Sequence, residues 1–459
     1  MNQKGKAPGR QDARVRTIRA PGWRSWRPGV FLSPLVAALI VNACSNGSAP
    51  RLGAPAPPSA GRLSLPGLLA DSDAPGDNEG FERALAPRPF VFPDDDGPHP
   101  GFRSEWWYFT GVLRASDAGA RRFGYEMTIF RQALAPRVPA RASAWATRDV
   151  YMAHFAITDV DGASSSGEDG DRRFRAYERF ARDGLALAGA RAQPFAAWVD
   201  DWRMQGLGDH QADDGPMPVH LLARDDGGAA IDLDVGASDD RARLAGSGQP
   251  IPEGDRGRFA KGAAPGNASY YFSRTSLPTH GRVTLPSPAG ARPGAPVTFV
   301  VSGLSWMDRE WSTGALGAGV RGWDWLGVHL SDGRDLMMCR LRDDADRTTS
   351  ASRVTLIDAP GLDGRRAVHT YAADRFAMAP IDFWMSAETG ARYPVSFRLD
   401  VPDERISLVV RPLLVDQELR LAVLYWEGAV SLGGTADGAA ITGEGYLELT
   451  GYGGGQRQR

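Results

Sequence analysis

Along most of the chain, apolar and polar side chains alternate with period two. "FGYEMTIF" sets Phe123, Tyr125, Met127 and Ile129 on one face, and "YPVSFRLDV" does the same with Tyr393, Val395, Phe397, Leu399 and Val401. Such alternation marks a half-buried antiparallel strand. Turn pairs such as Asp161-Gly162 and Asp332-Gly333 fall between these runs. In "SEWWYFTGVL" (104–113) the period puts Glu105, Trp107 and Phe109 on one face and Trp106, Tyr108 and Thr110 on the other. One face is expected to meet a barrel interior, the other a second layer or the neighbouring domain. Two stretches look like copies of one hairpin: "WWYFTGVL" followed by "YEMTIFR", and "WDWLGVHL" followed by "SDG" and "DLMMCRLR". The pattern therefore predicts an all-β protein with two consecutive antiparallel β-barrel domains, over 81–265 and 266–455. Barrel closure also removes exposed sheet edges.

Composition agrees with this picture, since 55 Gly and 33 Pro supply many turns and leave few long helices. With 53 basic and 55 acidic side chains the net charge is -2, so no basic field attracts phosphate backbones and nucleic acid is not an expected partner. Charge is uneven only at the start. Residues 1–29 hold Lys4, Lys6, Arg10, Arg14, Arg16, Arg19, Arg24 and Arg27 against Asp12, and the apolar stretch Val30–Ala43 follows. That is the layout of a signal peptide, too short for a comfortable membrane span. It ends "VNAC", which resembles a bacterial lipobox, so residues 1–44 are read as a leader and Cys44 as the site of lipidation. Ser45 next to it resembles the pattern of lipoproteins sent to the outer membrane. The expected location is the cell envelope, facing the periplasm, with ordinary secretion as the alternative. Residues 45–80, rich in Pro, Ala, Gly and Ser, read as a flexible linker.

One cluster carries chemistry. "SWMDREW" places Asp308 between Trp306 and Trp311, with Trp323 and Trp325 close downstream. A carboxyl in apolar surroundings has a raised pKa and donates a proton, and tryptophan faces attract a cation. Bland readings stand beside these. Asp308 and Arg309 would serve equally in an inter-strand ion pair, Trp106 and Trp107 as core, and His154 as a satisfied core histidine. Glu105 reads as a second acid or as a barrel-closing salt bridge, and Glu427 as the partner of an arginine. Other classes lose support. No G-x-S-x-G elbow occurs, and the seven histidines (99, 154, 210, 220, 280, 329, 369) have no zinc-ligand spacing. "GAGVRG" (317–322) precedes a Trp-rich strand instead of opening a helix. Cys339, among Met337, Met338 and Leu341, reads as a buried inert thiol. No metal and no cofactor are expected.

Six ordered segments also carry a resemblance: "HPGFRSEWWYFTGVL", "YMAHFAITD", "YYFSRTSL", "GLSWMDREW", "GWDWLGVHLSDG" and "YWEGAVSL…GEGYLELTGY". Together they resemble the lipocalin-like family of carotenoid 1,2-hydratases (hydroxyneurosporene synthases) and their AttH-type secreted relatives, over roughly Phe81 to Tyr452. The resemblance implies two lipocalin-type barrels and a long apolar ligand, an isoprenoid or a lipid, held at a barrel's centre or mouth. As a hydro-lyase the protein would use Asp308 as proton donor, with Trp306 where the hydratases have the Tyr of a Tyr-x-Asp. Their upstream His-x-Trp has no counterpart near "YYFSR". Glu105, Trp106, Trp107, Tyr108, His154, Trp311, Trp323 and Trp325 are the expected ligand-binding residues. The alternative is a non-catalytic lipid carrier working beside an export system, with a transporter as partner.

Overall fold

The period-two runs form strands because their β-branched and aromatic side chains pack well on a pleated surface that is buried on at least one face. A computed structural model describes residues 64–70 and 78–453, apart from 118, 138–142, 144–145, 163–165, 168–169, 172, 209–214, 238–246 and 287–294. The leader with Cys44, and most of the expected linker, lie outside the described residues. One piece of that linker is ordered as the short helix α1 (Leu65–Leu69), capped by Ser64, whose Oγ accepts a hydrogen bond from Gly67 N at 3.1 Å.

The chain then runs through β1 (Ser104–Ala115), β2 (Arg122–Ala133), β3 (Asp149–Asp159), the two-residue β4 (Ser166–Gly167) and β5 (Gly170–Asp171), and β6 (Phe174–Arg182). Short strands follow: β7 (Ala188–Arg191), β8 (Ala196–Val199), β9 (Trp202–Gly206), β10 (Val219–Arg224), β11 (Ala230–Val235), β12 (Pro250–Pro252) and β13 (Arg258–Ala260). Two long ones, β14 (Ala268–Leu285) and β15 (Val297–Ser312), complete the first sheet. Its order is β6-β3-β2-β1-β15-β14-β11-β10-β9-β8-β7, with β12 and β13 added onto β14, and it curls into a nearly closed barrel.

The second sheet takes β16 (Val320–Leu330), β17 (Asp335–Asp343), β18 (Arg353–Ile357), β19 (Val368–Ala372), β20 (Ala377–Met385), β21 (Arg392–Val401), β22 (Ile406–Pro412), β23 (Glu418–Arg420), β24 (Leu424–Ala436) and β25 (Ala439–Leu449). Its order is β19-β18-β17-β16-β25-β24-β22-β21-β20, a half-barrel, with β23 on β24. The all-β architecture is the one the alternation predicts. The division between sheets, however, falls between Ser312 and Val320 and does not coincide with the expected boundary at 265/266. β14 and β15 follow that boundary, yet β15 pairs with β1 from Ser104↔Ser312 to Ala115↔Val301. Only long-range pairing decides this, because nothing local tells a strand which sheet it joins.

Each barrel has its own apolar filling. Trp107, Phe109, Tyr125, Met127, Phe155, Trp202, Met307 and Trp311 belong to the first, and Leu326, Val328, Tyr393, Phe397, Leu408 and Trp426 to the second. A third cluster joins the sheets: Tyr108, Tyr271, Trp306, Trp323, Trp325, Cys339 and Tyr425 pack there with Leu65 and Leu69 of α1. β1 lies against β25 and β2 against β24 at this seam. Gly124 of β2 marks a close approach, for a Cβ there would sit 2.7 Å from Ala429 Cβ and 2.8 Å from Tyr446 Oη.

Candidate functional site

A cavity of about 40 Å³ opens in that seam, outside both barrel interiors. On this measure one water takes roughly 10–15 Å³, so the space suits two or three waters. The first sheet lines it with Trp106 and Tyr108 from β1, Thr128 and Phe130 from β2, Tyr271 from β14, and Asp308 and Glu310 from β15. The second sheet adds Trp323 and Trp325 from β16, Cys339 from β17, Tyr425 and Glu427 from β24, and Glu448 from β25. Lys261 and the two leucines of α1 complete the wall.

The two walls repeat one plan. In the first sheet Tyr108 lies opposite Asp308, which lies opposite Ser273 on the next strand. In the second, Trp325 lies opposite Glu448, which lies opposite Glu427. Two residues before these last positions stand Tyr271 and Tyr425. The two hairpins that look alike in sequence thus bring their aromatic pairs, Trp106 with Tyr108 and Trp323 with Trp325, to the same cavity from opposite sides. Tyr108 and Trp325 meet edge to face, with ring centroids 5.4 Å apart.

Asp308 is fully enclosed and makes no ion pair among the described residues. Its Oδ2 accepts a hydrogen bond from Tyr271 Oη at 2.6 Å; its Oδ1 accepts from Ser273 Oγ and from Trp306 Nε1, each at 2.7 Å. Trp325 Nε1 donates to Tyr271 Oη at 3.0 Å and so ties the second sheet to the same carboxyl. Burial pushes Asp308 up to about 7, against the pull of those three donors. The ion-pair reading with Arg309 is therefore corrected: the neighbours point to opposite faces of β15.

Other acids share the seam. Burial, opposed by the hydrogen bond from Thr355, raises Glu253 to about 8. Glu126 also rises to about 8 by burial, and Glu448 to about 7 although Trp323 Nε1 donates to it at 2.9 Å. Burial and the charges of Glu126 and Glu448 hold Glu427 well above the ordinary range. Carboxyls so close and so dry cannot all ionise, and they titrate as a group. Lys261 is the cation of the wall; its Nζ lies 2.5 Å from Glu310 Oε1 and within 6 Å of the Trp106, Phe259 and Trp323 rings.

Not every expected site residue reaches this cavity. Trp106, Tyr108, Asp308, Trp323 and Trp325 line it, and Trp306 holds Asp308 from behind. Glu105, Trp107 and Trp311 occupy the other faces of the same strands and belong to the first barrel's interior. There Glu105 bonds Arg131 Nε and Arg309 Nη2 and accepts from His99 N at 3.0 Å. Against its burial, the guanidiniums of Arg131 and Arg309 hold Glu105 well below the usual carboxylate range. Arg309 caps the Trp107 ring at 4.1 Å, and His99 stacks on Trp311 at 3.7 Å. Of the two readings of Glu105, the geometry is that of a barrel-closing salt bridge.

His154 sits one shell back, its Nδ1 2.7 Å from Tyr425 Oη, and burial lowers it to about 3. Glu427 pairs with no arginine among the described residues, because its strand turns it into the seam while Trp426 fills the second barrel. Cys339 is buried, its thiol pushed up to about 12 by burial, yet it lines the cavity wall. Lys261, Tyr271, Ser273, Glu253, Glu427 and Glu448 were not among the expected site residues. The one usable signal for them was the repeated hairpin, since pairing the two copies carries Glu448 to the place of Asp308.

A family model described as AttH-like matches residues 83–452. The crystal structure of an AttH protein from Nitrosomonas europaea superposes with a TM-score of 0.61 at 29% identity, covering 80% of this chain and all of that one. Kievitone hydratase from Nectria haematococca superposes at 0.52 and 14% identity, over 83% of this chain and 98% of its own. That second likeness is one of fold. No curated protein matches the sequence.

Proposed function

Starting from the fact that the chain belongs to the AttH-like family, we propose that it is a hydratase-type enzyme working on an isolated double bond of an apolar isoprenoid or polyene. The observation that carries this reading is Asp308: an enclosed carboxyl, protonatable near neutrality, set among Trp306, Tyr271, Tyr108 and Trp325. Alkene hydration needs a proton donor, a surface that tolerates a tertiary carbocation, and a held water. Asp308 supplies the first and the aromatic walls the second. A general acid works best when its pKa lies near the operating pH, which the burial of Asp308 arranges.

The cavity has room only for the reacting end of such a ligand, which would meet Leu65 and Leu69 of α1 in its wall. Cys339 and the aromatic rings give the ligand an apolar wall, while Lys261 and Glu310 offer a polar grip on an oxygenated end. The leader, with its lipobox-like end, supports export and attachment to the envelope through an acylated Cys44. That same leader favours a second reading, a lipid carrier placed beside a transporter. The test separates them. Asp308→Asn keeps the shape and an acceptor oxygen for Ser273 and Trp306, while its amide nitrogen donates to Tyr271 Oη in place of accepting from it; loss of a hydrated product with ligand affinity and folding intact supports the enzyme. A bound phospholipid or fatty acid recovered from envelope-purified protein, with no reaction on any alkene, supports the carrier.

A further inference from the structure

The cavity wall is uneven in charge. Four of its lining residues are carboxylic acids, Asp308, Glu310, Glu427 and Glu448, and one is a cation, Lys261. Glu310 takes Lys261, and the other three acids make no ion pair among the described residues. Seven more lining residues are aromatic, with rings from both sheets. The protein's own ammonium shows what such a wall favours. Lys261 Nζ lies 5.8 Å from the Trp106 ring centroid, 5.4 Å from that of Phe259, 6.0 Å from Tyr271 and 5.9 Å from Trp323, with Glu310 Oε1 at 2.5 Å. Rings on several sides and a carboxylate in contact are how an alkylammonium is held. Lys261 uses one acid of the four, and the remaining three share the cavity with rings that it does not reach, those of Tyr108 and Trp325.

We infer that the seam selects for positive charge at the head of an apolar chain: it takes an amine-headed chain and turns a carboxylate-headed one away. The inference rests on the seam being the ligand site, and not on hydration. A carboxylate would add a fifth acid to a dry wall whose one cation is already neutralised by Glu310, and like charges repel strongly there. A neutral head gains burial alone. A substituted ammonium gains the faces of Tyr108 and Trp325 as well, and it brings the countercharge that Asp308, Glu427 and Glu448 lack. Size agrees, for a space that suits two or three waters takes a head of three heavy atoms, such as dimethylammonium.

An entering cation draws protons off the acids beside it. Asp308 and Glu448, raised by burial to about 7, ionise first, and Glu427, held higher, follows. Glu126 and Glu253, raised to about 8 and outside the lining, respond later. Burial keeps Tyr108, Tyr271, Tyr425 and Cys339 protonated and His154, behind Tyr425, uncharged, while Lys261 and Glu310 stay joined. Binding of the amine therefore releases protons, and its affinity rises with pH between about 6 and 8. A carboxylate enters only as its neutral acid, so its affinity falls over the same interval.

The experiment uses three probes of one alkyl chain length that differ only in a head of three heavy atoms: a dimethylamine, charged at these pH values, a neutral isopropyl group, and a carboxylate. Each is titrated calorimetrically into the full chain below its micelle concentration. At about pH 7 the amine is expected to bind about tenfold tighter than the isopropyl compound and the carboxylate about tenfold weaker. The gap between amine and carboxylate is expected to widen toward about pH 8 and narrow toward about pH 6. Glu427→Gln with Glu448→Gln keeps the shape and removes two acids, and in this variant the amine is expected to lose its advantage. Equal affinity for the three heads overturns the inference. So does a carboxylate that binds best, an amine advantage that survives the double variant, or no binding of any probe. Should the double variant fail to fold, the three probes and their pH dependence on wild type decide the matter. Hydration is scored separately. Preference for the amine with no hydrated product from any alkene upholds the inference and removes the hydratase reading; hydration without that preference does the reverse.

Discussion

The two faces of the β1–β15 pair differ by one residue step and have opposite electrostatics. On the inner face, Glu105 and Arg309 neutralise one another between Trp107 and Trp311. On the outer face, Asp308 and Glu310 stand beside Trp106 and Tyr108 with Lys261 as the nearby cation. Both faces are dry and aromatic, so burial alone does not decide the state of a carboxyl. What decides is the partner: guanidiniums hold Glu105 ionised, while neutral hydroxyl and indole donors leave Asp308 close to its protonated form. Near neutrality the inner carboxyl therefore stays charged, while the outer one lies close to its titration point.

The largest effect expected from breaking this contrast is on the inner face. Arg309→Met leaves Glu105 with a buried charge only half compensated and is expected to destabilise the fold by about 3–5 kcal/mol, read by urea denaturation. Asp308→Asn on the outer face should change stability little, since no ion pair is lost, but should lower any hydration rate by about 10²–10⁴-fold; product assays measure it. If both substitutions cost similar stability, the two faces are alike and the contrast fails.

A smaller effect tests the seam itself. Gly124→Val forces a side chain against Ala429 and Tyr446 and is expected to cost about 1–3 kcal/mol through overpacking. Hydration should fall more in this variant than its melting temperature suggests.

The gentlest test is pH. Glu126, Glu253, Asp308 and Glu448 hold their protons in the fold to about pH 7–8, whereas in the unfolded chain they ionise near the ordinary carboxylate values. The folded state binds more protons over that interval, so stability falls as pH rises through it. Glu105 runs the other way: its contribution is present above the ordinary carboxylate value and lost as pH falls below it. The melting temperature is expected to drop by several degrees between pH 5 and pH 8, and Glu126→Gln with Glu253→Gln should flatten that slope.

The alternation in "SEWWYFTGVL" was enough to separate the two faces, because period two is a property of the strand alone. It left open which face meets ligand, for that depends on what packs outside the barrel. Asp308 was legible because its aromatic neighbours are also its neighbours in sequence. Tyr271 and Ser273, which hold it, lie 37 and 35 residues away along the chain and reach it only through the β14–β15 register. Glu427 and Glu448 required knowing that the second sheet turns its outer face to the first. The expectation of a ligand at a barrel's centre or mouth does not lead to this cavity for the same reason: the sequence marks each barrel's filling but not the surface on which the barrels dock.

Residues 313–319 are the chain's one covalent crossing between the sheets. Asp308 and Tyr271 stand on one side of that crossing and Trp325, Glu427 and Glu448 on the other, so neither half-molecule contains the whole cavity wall. A chain divided there would consist of two polypeptides that each carry one wall, and the cavity would form only as they found each other. Complementation between separately made fragments would then report directly on the affinity of one sheet for the other.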